Sequence, residues 1–142
     1  VFQQAANLFI KAYESAWQSG ATDQFFQQYK RASLVNMHGL YHTNIEDIVS
    51  AHSFLMKGPY KGSSMKTLSL DLKPISSDSF LLVQTWEIEG APMGTIQGVM
   101  TIVFAPTNDS SDNEPSFEPI HMQNTRISQS DPRMNGFFAK KQ

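Results

Sequence analysis

The stretch TNIEDIVSAHSFLMKGPYKGSSMKTLSLDLKPI, residues 43–75, contains the change of hydrophobic period that decides the fold. Apolar residues first recur every three or four positions, which predicts a helix that ends at Gly58-Pro59. Its buried face consists of Ile45, Ile48, Val49, His52, Leu55 and Met56. Thr43 and Glu46 have the spacing of a capping box at the start of this helix. From residue 65 onward leucines alternate with polar residues, as in a half-buried strand.

Two more helices are predicted upstream of this stretch. Residues 2–18 place aromatic residues and alanines at helical spacing, and Ser19-Gly20 ends that helix. A shorter helix is predicted from Thr22 or Asp23 to about Tyr29. The segment ASLVNMHG, residues 32–39, then has the character of a short strand that ends at a glycine.

Three further extended segments follow downstream, with a polar loop at residues 107–115. They are SFLLVQTWEIEG (79–90), GTIQGVMTIVFAP (94–106) and SFEPIHMQNTRIS (116–128). Helices followed by antiparallel strands predict an α+β fold, in which the N-terminal helices pack on a curved, mostly antiparallel sheet. Such a sheet with a long helix across it forms a cone with a pocket at its open end. We expect one domain over residues 1–142, with 129–142 as a C-terminal tail.

The composition excludes several classes of function. The formal net charge of −2 provides no basic field, so neither nucleic acid nor an anionic membrane is expected as a partner. The chain has no cysteine, which excludes disulfides, thiolate catalysis and zinc sites built on cysteine. No apolar run approaches the roughly 18 residues of a membrane helix. We therefore expect a soluble protein, cytoplasmic or exported; the start at Val1 is compatible with a removed upstream segment.

The segments VNMHGLYHTNIEDIVSAHSFLMKGPYKGSSM (35–65) and FEPIHMQNTRIS (117–128) resemble a known family. They are similar to the nuclear-transport-factor-2-like superfamily, the cystatin-like cone that ketosteroid isomerase and the SnoaL-like polyketide cyclases share. The branch they resemble most is the SgcJ/EcaC type, and the resemblance covers about residues 5–128. It implies a cone with an internal pocket, Gln123 facing that pocket, and a homodimer formed through the exposed face of the sheet.

Two departures from the family pattern bear on activity. Gln123 stands where many relatives have histidine, which removes a proton-transferring group from that position. The ketosteroid isomerase set, a general-base aspartate with a tyrosine and a protonated aspartate, has no residue-by-residue match in this chain. The resemblance therefore implies a fold and not a particular reaction, because this scaffold carries many unrelated functions.

The histidines are the first candidates for chemistry. His52 lies on the buried face of a predicted helix, where it is either a pocket base with a tuned pKa or a structural side chain bonded to the backbone. His38 shares a strand face with Leu34 and Asn36 and can point into the pocket. His38 and His42 stand four apart, but a turn separates them, so no metal site and no cofactor are predicted. The catalytic candidates are thus His52 and His38.

Five more side chains are candidates for ligand contact. Tyr13 and Trp17 lie one turn apart on the first helix and are expected to roof the pocket, although such aromatic pairs are more often plain core. Trp86, Gln97 and Gln123 lie on neighbouring strands of the predicted sheet. For Trp86 and Gln97, a place in the core or on the sheet surface is as compatible with the pattern as a ligand contact.

Three functions from different classes remain open at this point. The first is a small-molecule-binding domain with an apolar pocket. The second is an isomerase or cyclase that acts on a polyketide-like or steroid-like molecule by general acid–base catalysis. The third is an oligomerisation module. An ionisable group in the pocket would favour the enzyme, amides and apolar side chains would favour binding, and a filled pocket with an apolar sheet face would favour assembly.

Overall fold

In the computed structural model, residues 1–127 are described, and they form three helices and a six-stranded sheet. The elements are α1 (Phe2–Gln18), α2 (Thr22–Gln27), β1 (Ser33–Val35), β2 (Tyr41–His42), α3 (Ile45–Lys57), β3 (Ser64–Pro74), β4 (Phe80–Glu89), β5 (Ile96–Pro106) and β6 (Phe117–Ile127). The strand order is β2-β1-β6-β5-β4-β3, with every neighbouring pair antiparallel except β1 and β6. The predicted α+β class, with helices on a curved, mostly antiparallel sheet, is confirmed. The predicted tail lies outside the described residues.

The helices form where their apolar periodicity predicts, but α3 begins differently from the prediction. Its N-cap is Asn44, whose side-chain oxygen accepts a hydrogen bond from the backbone N–H of Asp47 at 3.0 Å. The expected capping box of Thr43 and Glu46 is therefore wrong. Asn44 serves as well as threonine because its short side-chain carbonyl reaches the same free N–H groups of the first turn.

The alternation of β4 and β5 places one face of the sheet against the helices. Their inward residues are buried, whereas their outward residues keep part of their surface exposed. The core between this inner face and α1 is rich in aromatic rings; Phe80 and Phe104 stack at a centroid distance of 4.6 Å, and Phe9 meets Phe104 edge-on at 5.1 Å. A sheet with one covered face and one open face results, as is common in antiparallel sheets.

Two β-bulges break the alternation, one in β3 and one in β6. In β3 the pairing skips Leu68, which consequently turns outward and remains 45% exposed. In β6 it skips Ile120, since His121 pairs with Val103 while Pro119 pairs with Phe104. A bulge adds one residue to one strand, so the residues beyond it face the side opposite to the one that strict alternation predicts.

No helix within residues 1–127 is both long enough and apolar enough to cross a bilayer.

Candidate ligand cavity

A small internal cavity lies between the three helices and the inner face of the sheet. Its volume is about 30 Å³. That is enough for one water-sized group, which needs roughly 10–15 Å³. Most of the lining is apolar and comes from every layer of the fold: Phe26, Leu34, Met37, Leu55 and Met100. The polar side chains that line it are Tyr13, Asn36, His38, His52 and Asn124, and Trp17 closes one side.

His52 is buried on α3 and is neutral at pH 7. Its Nδ1 lies 2.9 Å from the carbonyl oxygen of Ile48, one turn earlier. A carbonyl oxygen only accepts, so Nδ1 carries the proton and Nε2 has a free lone pair. Burial lowers the pKa of His52 to about 4, although the hydrogen bond to Ile48 opposes the shift. His52 therefore provides the cavity with a hydrogen-bond acceptor.

Tyr13 provides a hydrogen-bond donor. Its side chain is buried on α1, and burial raises the pKa of its phenol, which stays protonated at neutral pH. Within residues 1–127, the polar side-chain atoms that are fully enclosed without a partner are Thr22 Oγ1 and Gln84 Oε1. Neither the Tyr13 hydroxyl nor His52 Nε2 forms a hydrogen bond within those residues, and both side chains line the cavity. Both are therefore candidates for ligand contact.

Asn124 is held in a fixed orientation by Trp86. The indole Nε1 of Trp86 donates to Asn124 Oδ1 at 2.7 Å, so the Nδ2 group of Asn124 is available as a second donor. The Trp86 side chain crosses β5 at Gly98, the residue with which Trp86 is paired, and so reaches β6. A Cβ at position 98 would lie 2.2 Å from the indole, so only glycine leaves room for this crossing. Trp86 itself does not line the cavity but orients a residue that does.

The rim of the cavity is the turn between β1 and β2. Asn36 organises it: its Oδ1 accepts from the backbone N–H groups of His38 and Leu40, at 2.9 Å and 3.1 Å. Its Nδ2 lies 3.0 Å from His42 Nε2. His38 borders the cavity from an exposed position on this turn. The structure therefore places His38 at the entrance and His52 inside.

Two of the predicted ligand residues face away from the cavity. Gln97 is on the outward face of β5, where its amide donates to Glu87 at 2.8 Å. Gln123 is exposed and paired with Thr101, also on the outward face. The expectation that Gln123 faces the pocket is wrong because the bulge at Ile120 reverses the faces of the strand beyond it.

Asn124 and Asn36 line the cavity and were not among the predicted site residues. Asn124 is the residue next to Gln123 in the QNT sequence of β6, so locating the bulge would have identified it. Trp17 closes the cavity while its Nε1 donates to Ser63 Oγ at 2.8 Å. In the described part of the chain, histidine and carboxylate side chains form no group of three that could hold a metal ion.

No protein-family model and no curated relative matches the chain. Solved structures do. An uncharacterised cystatin-like-fold protein from Caulobacter vibrioides is 21% identical over 99% of this chain and 98% of that one, with a TM-score of 0.78. An NTF-2 like protein of unknown function from Shewanella oneidensis is 16% identical (88% and 99% covered, TM-score 0.71). A candidate scytalone dehydratase from Novosphingobium aromaticivorans is 7% identical (89% and 84%, TM-score 0.71). These likenesses establish the cystatin-like, nuclear-transport-factor-2-like fold.

Proposed function

We propose that this protein binds a small, largely apolar molecule that carries a carbonyl or hydroxyl group. One observation supports the proposal above all others: an apolar cavity is lined by three polar groups whose hydrogen-bonding capacity is not used up among residues 1–127. They are the hydroxyl of Tyr13, Nε2 of His52 and Nδ2 of Asn124. Ligand sites have this composition, mostly apolar walls with a few convergent polar groups.

The ligand enters by displacing side chains, because the cavity of about 30 Å³ is far below the roughly 300–1,000 Å³ of sites for drug-sized molecules. Met37 and Met100 are suited to this movement, since methionine has an unbranched side chain that adapts to irregular spaces. Met37 also belongs to the turn that forms the rim. A single aromatic ring is accordingly a better ligand than a steroid-sized one.

The alternative is an enzyme of the isomerase or cyclase type, with His52 as general base and Tyr13 as general acid. The presence of a buried imidazole and a buried phenol at one cavity favours it, as does the candidate dehydratase among the structures that share the fold. A base is most effective when its pKa is close to the working pH, however, and burial lowers that of His52 to about 4. Binding is therefore the stronger hypothesis, and His38 contributes at the rim.

We further propose that the chain forms a homodimer through the outward face of its sheet, and that it belongs with the SgcJ/EcaC and SnoaL-like branch. On the outward face, Val83, Val99 and Val103 keep part of their apolar surface exposed in the middle of the sheet. Adjacent apolar residues on an open sheet face are typical of a protein interface. The oligomerisation-module hypothesis depends on the same surface without requiring a ligand.

Acetophenone tests the binding proposal, because it combines one aromatic ring with a carbonyl group that can accept from Tyr13. Binding is measured by calorimetry and by chemical-shift changes in the wild type, Tyr13→Phe and Tyr41→Phe. Tyr41 is 62% exposed, which makes it the matched control. We expect Tyr13→Phe to weaken binding about five- to tenfold, the effect of one lost hydrogen bond, and Tyr41→Phe to leave it unchanged. No binding by the wild type contradicts the proposal, and equal affinity in all three proteins contradicts the role assigned to Tyr13.

A further inference from the structure

Gln84 is a fully buried amide whose oxygen has no hydrogen-bond partner among residues 1–127. It lies on the inner face of β4 with no exposed surface. Its Nε2 donates to the hydroxyl of Thr67 at 2.9 Å. Its Oε1 has no partner and no accessible surface among residues 1–127. A buried acceptor without a partner destabilises a fold, and in native proteins such an atom calls for a specific explanation.

The position of Gln84 relates this atom to the cavity. Gln84 is paired with Met100, which lines the cavity from the neighbouring strand. Along its own strand, Gln84 is two residues from Trp86, the side chain that orients Asn124. Gln84 thus lies on the inner sheet face beside Met100, the residue of β5 that lines the cavity.

We infer that Gln84 is a second, deep anchor of the binding site, and that the ligand carries a hydroxyl group at the end that enters first. The inference rests on the proposed binding function. When the Met100 side chain changes its rotamer, the cavity extends to Gln84, and a hydroxyl group of the ligand donates to Gln84 Oε1. The ligand class is then an aromatic or other apolar body with a hydroxyl at one end and a carbonyl at the other. The carbonyl accepts from Tyr13 or Asn124.

The surroundings of Gln84 hold its hydrogen-bond partner in place. Thr67, its partner, is itself held in place because its backbone N–H donates to Glu14 Oε2 of α1 at 2.9 Å. Thr67 directly precedes the bulge at Leu68, where the ladder between β3 and β4 is interrupted. Helix α1 therefore fixes the strand segment that carries the hydrogen-bond partner of Gln84. Pre-ordered polar groups of this kind confer ligand specificity at a low entropic cost.

Two matched probes test the inference: 4-hydroxyacetophenone and 4-methylacetophenone, which differ only in the group that would reach Gln84. Their affinities are measured by calorimetry for the wild type, Gln84→Met and Leu82→Met. Leu82 is equally buried on the same face of β4, so Leu82→Met controls for a change in core packing. We expect the wild type and Leu82→Met to prefer the hydroxyl probe about tenfold, the value of one good hydrogen bond. Gln84→Met is expected to lose that preference.

A second variant, Met100→Ala, opens the floor of the cavity directly. It is expected to strengthen binding of 4-hydroxyacetophenone more than that of 4-methylacetophenone, and adding Gln84→Met should cancel the difference. If both probes bind the wild type equally, or if the preference persists in Gln84→Met, the inference is wrong while the proposed function stands. If neither probe binds the wild type or Met100→Ala, the proposed function fails, and the inference fails with it.

Discussion

Substitution of Gly98 by alanine tests whether the crossing of Trp86 over β5 organises the cavity. An added Cβ would lie 2.2 Å and 2.6 Å from two carbon atoms of the Trp86 indole and 2.5 Å from the backbone oxygen of Thr125. Neither neighbour can yield cheaply: Trp86 is only 1% exposed, and Thr125 belongs to the adjoining strand. The indole and the adjoining strand must therefore both shift, and the hydrogen bond from Trp86 to Asn124 is lost.

The expected loss of stability for Gly98→Ala follows from three contributions. Overpacking of a close-packed core costs up to about 3 kcal/mol in typical cases. Loss of the hydrogen bond from Trp86 to Asn124 costs about 1 kcal/mol more. Alanine offsets about 0.5–1 kcal/mol, because it has less conformational entropy than glycine in the unfolded chain. The free energy of unfolding should fall by about 3 kcal/mol, a large fraction of the 5–15 kcal/mol of a typical domain.

Urea denaturation followed by circular dichroism measures this loss. With a denaturant dependence of about 2 kcal/mol per molar, the midpoint should fall by about 1.5 M. In a Trp86→Leu background the same substitution should cost less, because the smaller side chain leaves space for the new methyl group. A loss below about 1 kcal/mol in the wild-type background, or an equal loss in both backgrounds, would refute the role assigned to Gly98.

Three further perturbations test other parts of the structure. In the unfolded chain His52 takes up a proton below about pH 6.5, whereas in the folded protein its pKa is about 4. The free energy of unfolding should therefore fall by about 3 kcal/mol as the pH is lowered from 6.5 to 4. Denaturant titrations at several pH values should show that His52→Gln removes this pH dependence of stability and that His38→Gln retains it. The same dependence of stability on pH in the wild type and both variants would be inconsistent with a buried, neutral His52. Val99→Glu places like charges across the proposed dimer interface, at a cost of several kcal/mol in the free energy of association. Light scattering should therefore show a monomer for this variant and a dimer for the wild type; a monomeric wild type would contradict the dimer proposal. Asn44→Ala should lower the free energy of unfolding by about 1 kcal/mol in thermal unfolding, because α3 loses its N-cap. A larger loss for Thr43→Ala would instead support the capping box that was predicted from the sequence.

Much of the fold could be predicted because its main elements carry strong periodic patterns. The apolar repeat of α3 and the strict alternation of β4 and β5 each follow from burial of one face, which the order of residues reveals directly. For the same reason the inward location of Tyr13, Trp17 and His52 could be predicted. Each of them lies on the apolar stripe of a helix.

The prediction failed where tertiary pairing overrides a local pattern. Strand β6 has mixed polarity on both faces, so its residue pattern does not reveal the bulge at Ile120, which depends on how the strand pairs with β5. For this reason the cavity contains Asn124 and not the predicted Gln123. The two-residue strand β2 is too short to have a period of its own. The oxygen of Gln84, which has no partner among residues 1–127, could not be predicted either, because satisfaction of a hydrogen bond is a property of the packed structure.

A crystal structure of the protein soaked with acetophenone tests the central claim most directly, since it reveals both the place and the partners of the bound molecule. The account predicts that the ring lies between the helices and the sheet after Met37 or Met100 has moved. The carbonyl oxygen should lie within hydrogen-bond distance of the Tyr13 hydroxyl or Asn124 Nδ2. Acetophenone found only on the outer surface, with the residues around the cavity of about 30 Å³ unmoved, would contradict the claim that this protein binds its ligand inside the cone.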